Sequence, residues 1–120
     1  MIRMIYVLTH DPEDRLELVS SVVAQAVVAL SFGYEAEIFL LDRAVKSALK
    51  GYIDGMKAES FASLQELFEM FSEMDGKLYV CAPSAHSSHI QQEHCISGIT
   101  GFVDAGTLVT HAKDSVVFTY

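Results

Sequence analysis

The sequence predicts an α/β protein in which a mainly parallel sheet of about five strands is covered by helices on both faces. Short apolar runs alternate along the chain with longer segments of helical periodicity. The short runs are apolar at consecutive positions, which is typical of parallel strands that are buried on both faces. Right-handed crossovers then bring the carboxyl ends of all strands to one edge of the sheet, where α/β proteins place their sites.

The first predicted strand and helix set the pattern for the rest of the chain. The predicted strands lie at residues 2–9, 36–41, 77–81, 101–103 and 115–119. After the first strand, Asp11 can cap a helix that has Pro12 in its first position, where a missing N–H costs nothing. That helix is expected to end near Ser31, before Gly33. Its apolar residues cover more than one face, which predicts a second neighbour besides the sheet.

Later helices are predicted from spacing and capping residues. A short helical piece is expected at residues 44–49 and a glycine-punctuated loop at 50–55. Ser60 is expected to cap a helix in which Phe61, Leu64, Phe68 and Phe71 form the buried face. Asp75-Gly76 should end that helix. Two further helices are expected near residues 89–96 and 106–112.

Composition narrows the class of protein. The 120 residues predict one domain, 1–120, and a 51% hydrophobic composition predicts a well-buried core with apolar surface left to pair subunits. The formal charge of −8 repels nucleic-acid phosphates and anionic lipids, so neither nucleic acid nor membrane is expected as a partner. The apolar stretch 20–32 is too short to span a bilayer, and no signal-peptide pattern opens the chain. We expect a soluble cytoplasmic protein with reduced thiols.

Cys81 is the candidate centre because it ends the strand 77–81. The predicted edge gathers it with Thr9, His10, Asp42 and Asp104. A helix opening near Ser84 would stabilise a thiolate, and His86 and His89 can supply positive charge or accept its proton. A free thiol has a pKa of about 8.5, so such neighbours raise its thiolate fraction at neutral pH. Sulfur transfer or redox exchange suits this arrangement; the alternative is a small packed core residue.

The other candidates are weaker. His86, His89 and His94 lie between Cys81 and Cys95 and would allow a zinc site, but the segment has no CxxC or HxxxH pair. Cys95 is expected to be a packed core residue. The chain has no GxxxxGK[ST], GxGxxG or GxSxG motif, so we expect no nucleotide cofactor and no serine hydrolase. A catalytic pair of His10 and Asp11 is less favoured than a capping role for Asp11.

Several segments, taken in order, resemble the DsrE/DsrF-like family, which includes sulfur-relay proteins. The resemblance covers nearly the whole chain, from an opening strand and a long alanine-valine helix to the last strand. The segments that carry it are Ile38-Phe39-Leu40, Ala44-Val45, Leu49-Lys50-Gly51, Leu64-Gln65-Glu66-Leu67, the strand ending at Cys81, and Asp114-Ser115-Val116-Val117-Phe118.

The resemblance implies a three-layer α/β/α sandwich and homo-oligomers, namely trimers or hexamers. It also implies, as in the sulfur-relay members, a cysteine that carries persulfide sulfur, and Cys81 occupies that position. Some relatives have a second cysteine where this chain has Ser84. Relatives often have Arg-Gly-Ile where this chain has Ser88-His89-Ile90, so a permanent positive charge is replaced by an imidazole whose charge depends on pH.

The predicted function is therefore that of a small cytoplasmic sulfur carrier. Cys81 is expected to accept sulfane sulfur as a persulfide and pass it to a partner thiol, with His86 and His89 tuning its reactivity. Such a protein is a persulfide sulfurtransferase or carrier rather than a conventional enzyme, and it needs no cofactor or metal. The alternatives are a non-catalytic oligomeric interaction module and a metal-binding protein that uses the histidines.

Overall fold

Five parallel strands form the central sheet of the computed structural model, which describes all 120 residues. The strands are β1 (Arg3–Leu8), β2 (Glu35–Leu40), β3 (Lys77–Cys81), β4 (Gly101–Val103) and β5 (Val116–Thr119). Their order across the sheet is β4-β3-β2-β1-β5. The predicted α/β fold is confirmed, and each strand lies within one residue of its predicted bounds.

Helices cover both faces of this sheet. The α-helices are α1 (Leu16–Ser31), α2 (Leu64–Glu73), α3 (Ala82–Ser87) and α4 (Ala105–Ala112), and 3₁₀ helices cover Asp42–Ala48 and Gln92–His94. Helix α1 packs against β1, β2 and α2, so α2 is the second neighbour that its apolar surface predicted. Helix α4 packs on the opposite face, which completes three layers.

The strands are buried on both faces, so the sheet divides the hydrophobic core into two clusters, a large one and a small one. Tyr6 and Leu8 of β1 join a cluster of 23 buried residues under α1 and α2. Ile5 and Val7 alternate with them and join Phe39 in a cluster of three under α4. None of these five side chains is more than 5% exposed. The α4 layer is therefore the thinner of the two outer layers.

Helix α1 begins later than predicted. The Asp11 carboxylate accepts a hydrogen bond from the backbone N–H of Glu13 at 2.9 Å, and the Asp11 carbonyl accepts from Asp14 and Arg15 at 3.0 Å. These bonds close a turn that contains Pro12, and α1 starts only at Leu16. Asp11 caps that turn rather than the helix.

Helix α2 also begins later than predicted. Its cap is Ser63, whose hydroxyl accepts from the backbone N–H of Glu66 at 3.2 Å and donates to the Glu66 carboxylate at 3.0 Å. The predicted cap, Ser60, and Phe61 both lie before the helix. The pairing of serine with glutamate three residues later satisfies free N–H groups of the first turn, which Ser60 cannot reach.

The helix expected near residues 89–96 forms only as the 3₁₀ helix Gln92–His94. Helix α3 forms earlier, directly after Cys81, with Pro83 in its first turn. His89 then adopts a left-handed conformation, with φ of +58°, and the backbone N–H of Ile90 donates to the Ala85 carbonyl at 2.8 Å. This closure ends α3, because a left-handed residue cannot continue a right-handed helix.

No helix in the structure is long and apolar enough to cross a membrane.

Candidate functional site

Cys81 is the last residue of β3, at the carboxyl edge of the sheet. It pairs with Val103 of β4, and the pairing of Leu40 with Val80 places Leu41 in register on its other side. Alternation along β3 directs Cys81 toward the sheet face that α4 covers, since side chains of successive residues point to opposite faces. The thiol is partly exposed and makes no hydrogen bond.

The chain turns directly from Cys81 into α3. Cys81 occupies the N-cap position, and Pro83 fixes the backbone of the first turn without leaving an N–H to satisfy. The Ser84 hydroxyl accepts a hydrogen bond from the backbone N–H of Asp42 at 2.9 Å. This bond links the end of β2 to α3, which follows β3, so the Ser84 hydroxyl has a structural role.

The two predicted partner histidines are not bonded to Cys81. His86 is exposed in the last turn of α3, and His89 is exposed at the left-handed position beyond the helix. His89 therefore lies off the helix that holds His86, so the two imidazoles do not share a helix face. His94 lies in the next 3₁₀ helix, where its Nδ1 accepts from the backbone N–H of Gln91 at 3.2 Å.

No group of three or more histidine, cysteine, aspartate or glutamate side chains is arranged to hold a metal ion. The chain thus separates the three histidines that made zinc an alternative, because His89 ends one helix and His94 belongs to another. The metal-binding interpretation has no supporting geometry.

Two carboxylates flank the strand end that carries Cys81. Asp42 follows Leu41 in a left-handed conformation, with φ of +51°, and Asp104 follows Val103. The Asp104 side chain accepts from the backbone N–H of Thr107 at 3.3 Å and so caps α4. Neither carboxylate takes part in an ion pair. Two carboxylates without an ion pair therefore follow the strand ends on either side of Cys81, and Arg43 follows Asp42 in the chain.

A buried polar cluster lies further along the same edge, and sequence reasoning missed it. Asp11 is 5% exposed, and the Tyr52 hydroxyl lies 2.8 and 2.9 Å from its two oxygens and 3.1 Å from a Glu13 oxygen. Lys46 Nζ lies 3.6 Å from Asp11. Burial, and then the hydrogen bonds to Asp11 and Glu13, raise the pKa of Tyr52.

The partners of His10 and Asp11 show whether the two side chains form a catalytic pair. His10 Nδ1 lies 3.4 Å from the Thr9 hydroxyl, and Asp11 is bonded to Glu13 and Tyr52. The two neighbouring side chains do not form a dyad. The sequence signal for the cluster is an aspartate three residues after a buried strand, but nothing local identifies Tyr52 as its partner.

Cys95 is packed, as predicted. It is 4% exposed, and its thiol lies 3.6 Å from the Gln91 carbonyl. Burial raises the pKa of the Cys95 thiol, and the charge of Lys50 opposes this only in part. Cys81 is thus the more accessible of the two thiols.

The fold and the site together define a small α/β protein with a parallel five-stranded sheet and one accessible thiol at its carboxyl edge. The family model of the DsrE/DsrF-like family matches residues 3–120. The chain belongs to this family. No functionally curated protein shows significant similarity to it.

Solved structures share the fold at low sequence identity. The YchN protein of E. coli is 17% identical, with full coverage of both chains and a TM-score of 0.76. MTH1491 of Methanobacterium thermoautotrophicum, a protein of unknown function, is 13% identical, with full coverage of both and a TM-score of 0.74. BT1422 of Bacteroides thetaiotaomicron, also of unknown function, is 12% identical, covers 98% of this chain and 94% of its own, and has a TM-score of 0.62. At these identities the likeness establishes the fold alone.

Proposed function

We propose that this protein is a sulfur carrier in which Cys81 holds sulfane sulfur as a persulfide. The observation that carries the proposal is the contrast between the two thiols: Cys81 is partly exposed at the sheet edge, whereas Cys95 is buried. A carrier needs one thiol that a donor and an acceptor can both reach. Membership in the DsrE/DsrF-like family supports the same chemistry.

The proposed reaction is an exchange between thiols and persulfides that needs no external oxidant or reductant. The Cys81 thiolate attacks the outer sulfur of a donor persulfide, a new S–S bond forms, and the old S–S bond breaks to release the donor thiolate. The acceptor thiolate then attacks the outer sulfur of the Cys81 persulfide and releases the Cys81 thiolate. The proton lost by Cys81 in the first step returns when the thiol is regenerated.

His86 and His89 are proposed to receive and return that proton. Both belong to the short segment that follows Cys81, and imidazole changes its charge within the physiological pH range. Since neither is bonded to the thiol in the free protein, their contribution should show in the pH dependence of sulfur uptake rather than in its occurrence.

The wider proposal covers setting and assembly. We take residues 1–120 as one domain that works in the cytoplasm, where reducing conditions keep Cys81 and Cys95 as thiols. It acts as a homo-oligomer, a trimer or hexamer, and exchanges sulfur with a sulfur-relay partner. The acidic residues beside Cys81 favour a partner whose thiol is surrounded by basic side chains.

The test is persulfide loading followed by intact mass measurement. After incubation with a persulfide donor and removal of excess reagent, the wild-type chain should gain about 32 Da, the mass of one sulfur atom carried as a persulfide. Cys81→Ser should gain nothing, and Cys95→Ala is the matched control that should load as the wild type does. An unloaded wild type, or equal loading of Cys81→Ser, would contradict the carrier role.

The second candidate is an oligomeric interaction module in which Cys81 carries no sulfur. The observation in its favour is that no lysine, arginine or histidine is bonded to Cys81. It predicts that Cys81→Ser retains every partner of the wild type and that the wild type accepts no sulfur.

A further inference from the structure

The outer edge of the sheet is a strand with unprotected backbone. β5 is the edge strand beside β1, and all four of its residues are exposed. Tyr120, just beyond β5, donates to the Val7 carbonyl at 2.7 Å and accepts from the backbone N–H of Thr9 at 2.8 Å. Because alternate residues of a parallel strand bond to the same neighbour, Val117 and Thr119 direct their N–H and C=O groups away from the sheet.

Side chains make this edge apolar as well as open. Val116 and Val117 are each 42% exposed, and Phe118 is 36% exposed although its ring stacks on Tyr6 with centroids 5.2 Å apart. On the α1 face this strip adjoins a groove of about 410 Å³ that is lined largely by apolar side chains, Tyr6, Val28 and Phe32 among them.

The edge also lacks the devices that keep edge strands apart. Proteins protect such strands with charged residues, proline or bulges. Residues 115–120, Ser-Val-Val-Phe-Thr-Tyr, contain no charged residue and no proline, in a chain whose formal charge is −8. Two copies of an acidic chain repel one another at most surfaces, so a strand edge without charge is where their close approach costs least.

We infer that β5 pairs with β5 of a second copy about a two-fold axis, which joins two sheets into one. Antiparallel pairing about an axis at Val117 sets that residue opposite its own copy, and Val116 opposite Phe118 of the second copy. The outward N–H and C=O groups then gain partners, and apolar side chains meet on both faces. The inference rests on the proposed self-association and assigns its surface: the contact builds a dimer, or joins two trimers into a hexamer.

This geometry has a consequence for Cys81. The two β3 strands are separated by seven strand-to-strand steps, or roughly 34 Å at about 4.8 Å a step. A disulfide requires Cα atoms within about 7 Å, so the paired sheets cannot join Cys81 to its copy. The two-fold axis also turns the carboxyl edges in opposite directions, so that each Cys81 faces its own solvent and its own relay partner.

The test uses charge at residue 117, because a two-fold axis makes that residue its own neighbour. Val117→Lys and Val117→Glu should each halve the mass measured by light scattering at micromolar concentration, since like charges lie opposite one another. An equimolar mixture of the two variants should recover the wild-type mass through opposite charges. Val109→Lys, at a 70% exposed valine of α4, is the matched control and should keep the wild-type mass.

Three outcomes would overturn the inference, and they differ from failure of the proposed function. A monomeric wild type would contradict both the proposed self-association and the β5 contact. An oligomer whose mass is unchanged by either charge at residue 117 removes the β5 contact alone. Loss of mass in both variants without recovery on mixing, with circular dichroism unchanged, would show that residue 117 does not face its own copy. Sulfur loading of Cys81 is measured separately and can succeed in all three cases.

Discussion

The Tyr52 hydroxyl donates a hydrogen bond to the buried carboxylate of Asp11, with oxygen distances of 2.8 and 2.9 Å to its two oxygens. This contact joins the loop after the 3₁₀ helix Asp42–Ala48 to the end of β1, 41 residues earlier in the chain. A carboxylate that is 5% exposed needs donors around it, because its desolvation is costly when they are missing. Tyr52 thus stabilises the carboxyl edge of the sheet, the edge at which Cys81 also lies.

Tyr52→Phe should lower the free energy of unfolding by about 1–3 kcal/mol, because it leaves Asp11 without a side-chain hydroxyl donor. Denaturant unfolding at pH 8 measures the loss. Tyr34→Phe is the control, since Tyr34 is 36% exposed and its hydroxyl makes no hydrogen bond. Equal losses in the two variants would show that the contact with Asp11 contributes nothing specific.

The same contact predicts how stability changes at alkaline pH. The pKa of Tyr52 is raised in the folded protein, so folding favours the protonated phenol. That contribution is complete below the unfolded pKa of about 10 and is lost as pH rises toward the folded pKa. The difference in unfolding free energy between wild type and Tyr52→Phe should therefore narrow above pH 10; a constant difference up to pH 11 would contradict the raised pKa.

The hydrogen bonds between Ser63 and Glu66 predict that substitution of Ser63 lowers stability more than substitution of Ser60. Ser63→Ala should cost about 1 kcal/mol of unfolding free energy because the N–H of Glu66 loses its acceptor. Ser60→Ala should change it by less than about 0.5 kcal/mol, as is usual for a surface substitution without a specific contact. Urea unfolding of the two variants measures both, and a larger loss at Ser60 would place the cap where the sequence predicted it.

Strands were easier to predict than helix starts. Buried parallel strands are marked by continuous apolar runs, and all five were located within one residue of their bounds. The starts of α1 and α2 were placed too early, because Asp11 and Ser60 are capable caps by residue type and the competing bonds decide between them. The sequence identifies residues that can cap a helix; the bond from Glu66 to Ser63 decides which one does.

In the candidate site, too, local features could be predicted from the sequence and long-range contacts could not. Cys81 was located correctly at the sheet edge because its strand could be recognised from local sequence. The contacts that surround the edge are long-range: Tyr52 and Asp11 are 41 residues apart, and His111 and Glu37 are 74 apart. No periodicity or spacing reports such pairs. The positions of His86 and His89 relative to Cys81 depend on where α3 ends, and the sequence predicted only that a helix opens near Ser84.

The contacts of Glu37 with His111 and Arg3 predict that Glu37 stabilises the packing of α4 on the sheet. Its buried carboxylate lies 2.8 Å from His111 Nδ1 and 3.7 Å from Arg3 Nε, and the Arg3 guanidinium also donates to the His111 carbonyl at 2.9 Å. Glu37→Gln should lower the free energy of unfolding by about 1–3 kcal/mol, since a charge-assisted acceptor is lost at a buried position.

Hydrogen exchange separates a local effect of this change from a general one. Amides of α4 should exchange faster in Glu37→Gln than in the wild type, while those of α1 and α2 follow the global stability. Glu35→Gln, at an exposed glutamate of the same strand, is the matched control and should leave α4 unchanged. Uniformly faster exchange in all helices would argue against a dedicated role in holding α4.

The positions of Asp42 and Asp104 on either side of the Cys81 strand end predict that the reactivity of Cys81 depends on the charge of the reagent. Asp42 and Asp104 each directly follow a residue in register with Cys81, and neither is in an ion pair. An anionic aromatic disulfide should react with Cys81 about two- to fivefold more slowly, relative to a neutral dipyridyl disulfide, than it does with a free cysteine peptide. Added salt should raise the rate with the anion and leave the neutral reagent unaffected.

Asp42→Asn is the variant that isolates this effect. Asparagine tolerates the left-handed backbone at residue 42, so the fold should be kept while one charge is removed. In Asp42→Asn, the rate of reaction with the anionic disulfide should rise and the rate with the neutral one should stay constant. Both rates are measured by stopped-flow absorbance in a Cys95→Ala background. Cys95 itself, buried and with a raised thiol pKa, should react with neither reagent on this timescale. An equal change in both rates would mean that residue 42 governs access to Cys81 rather than its electrostatic surroundings.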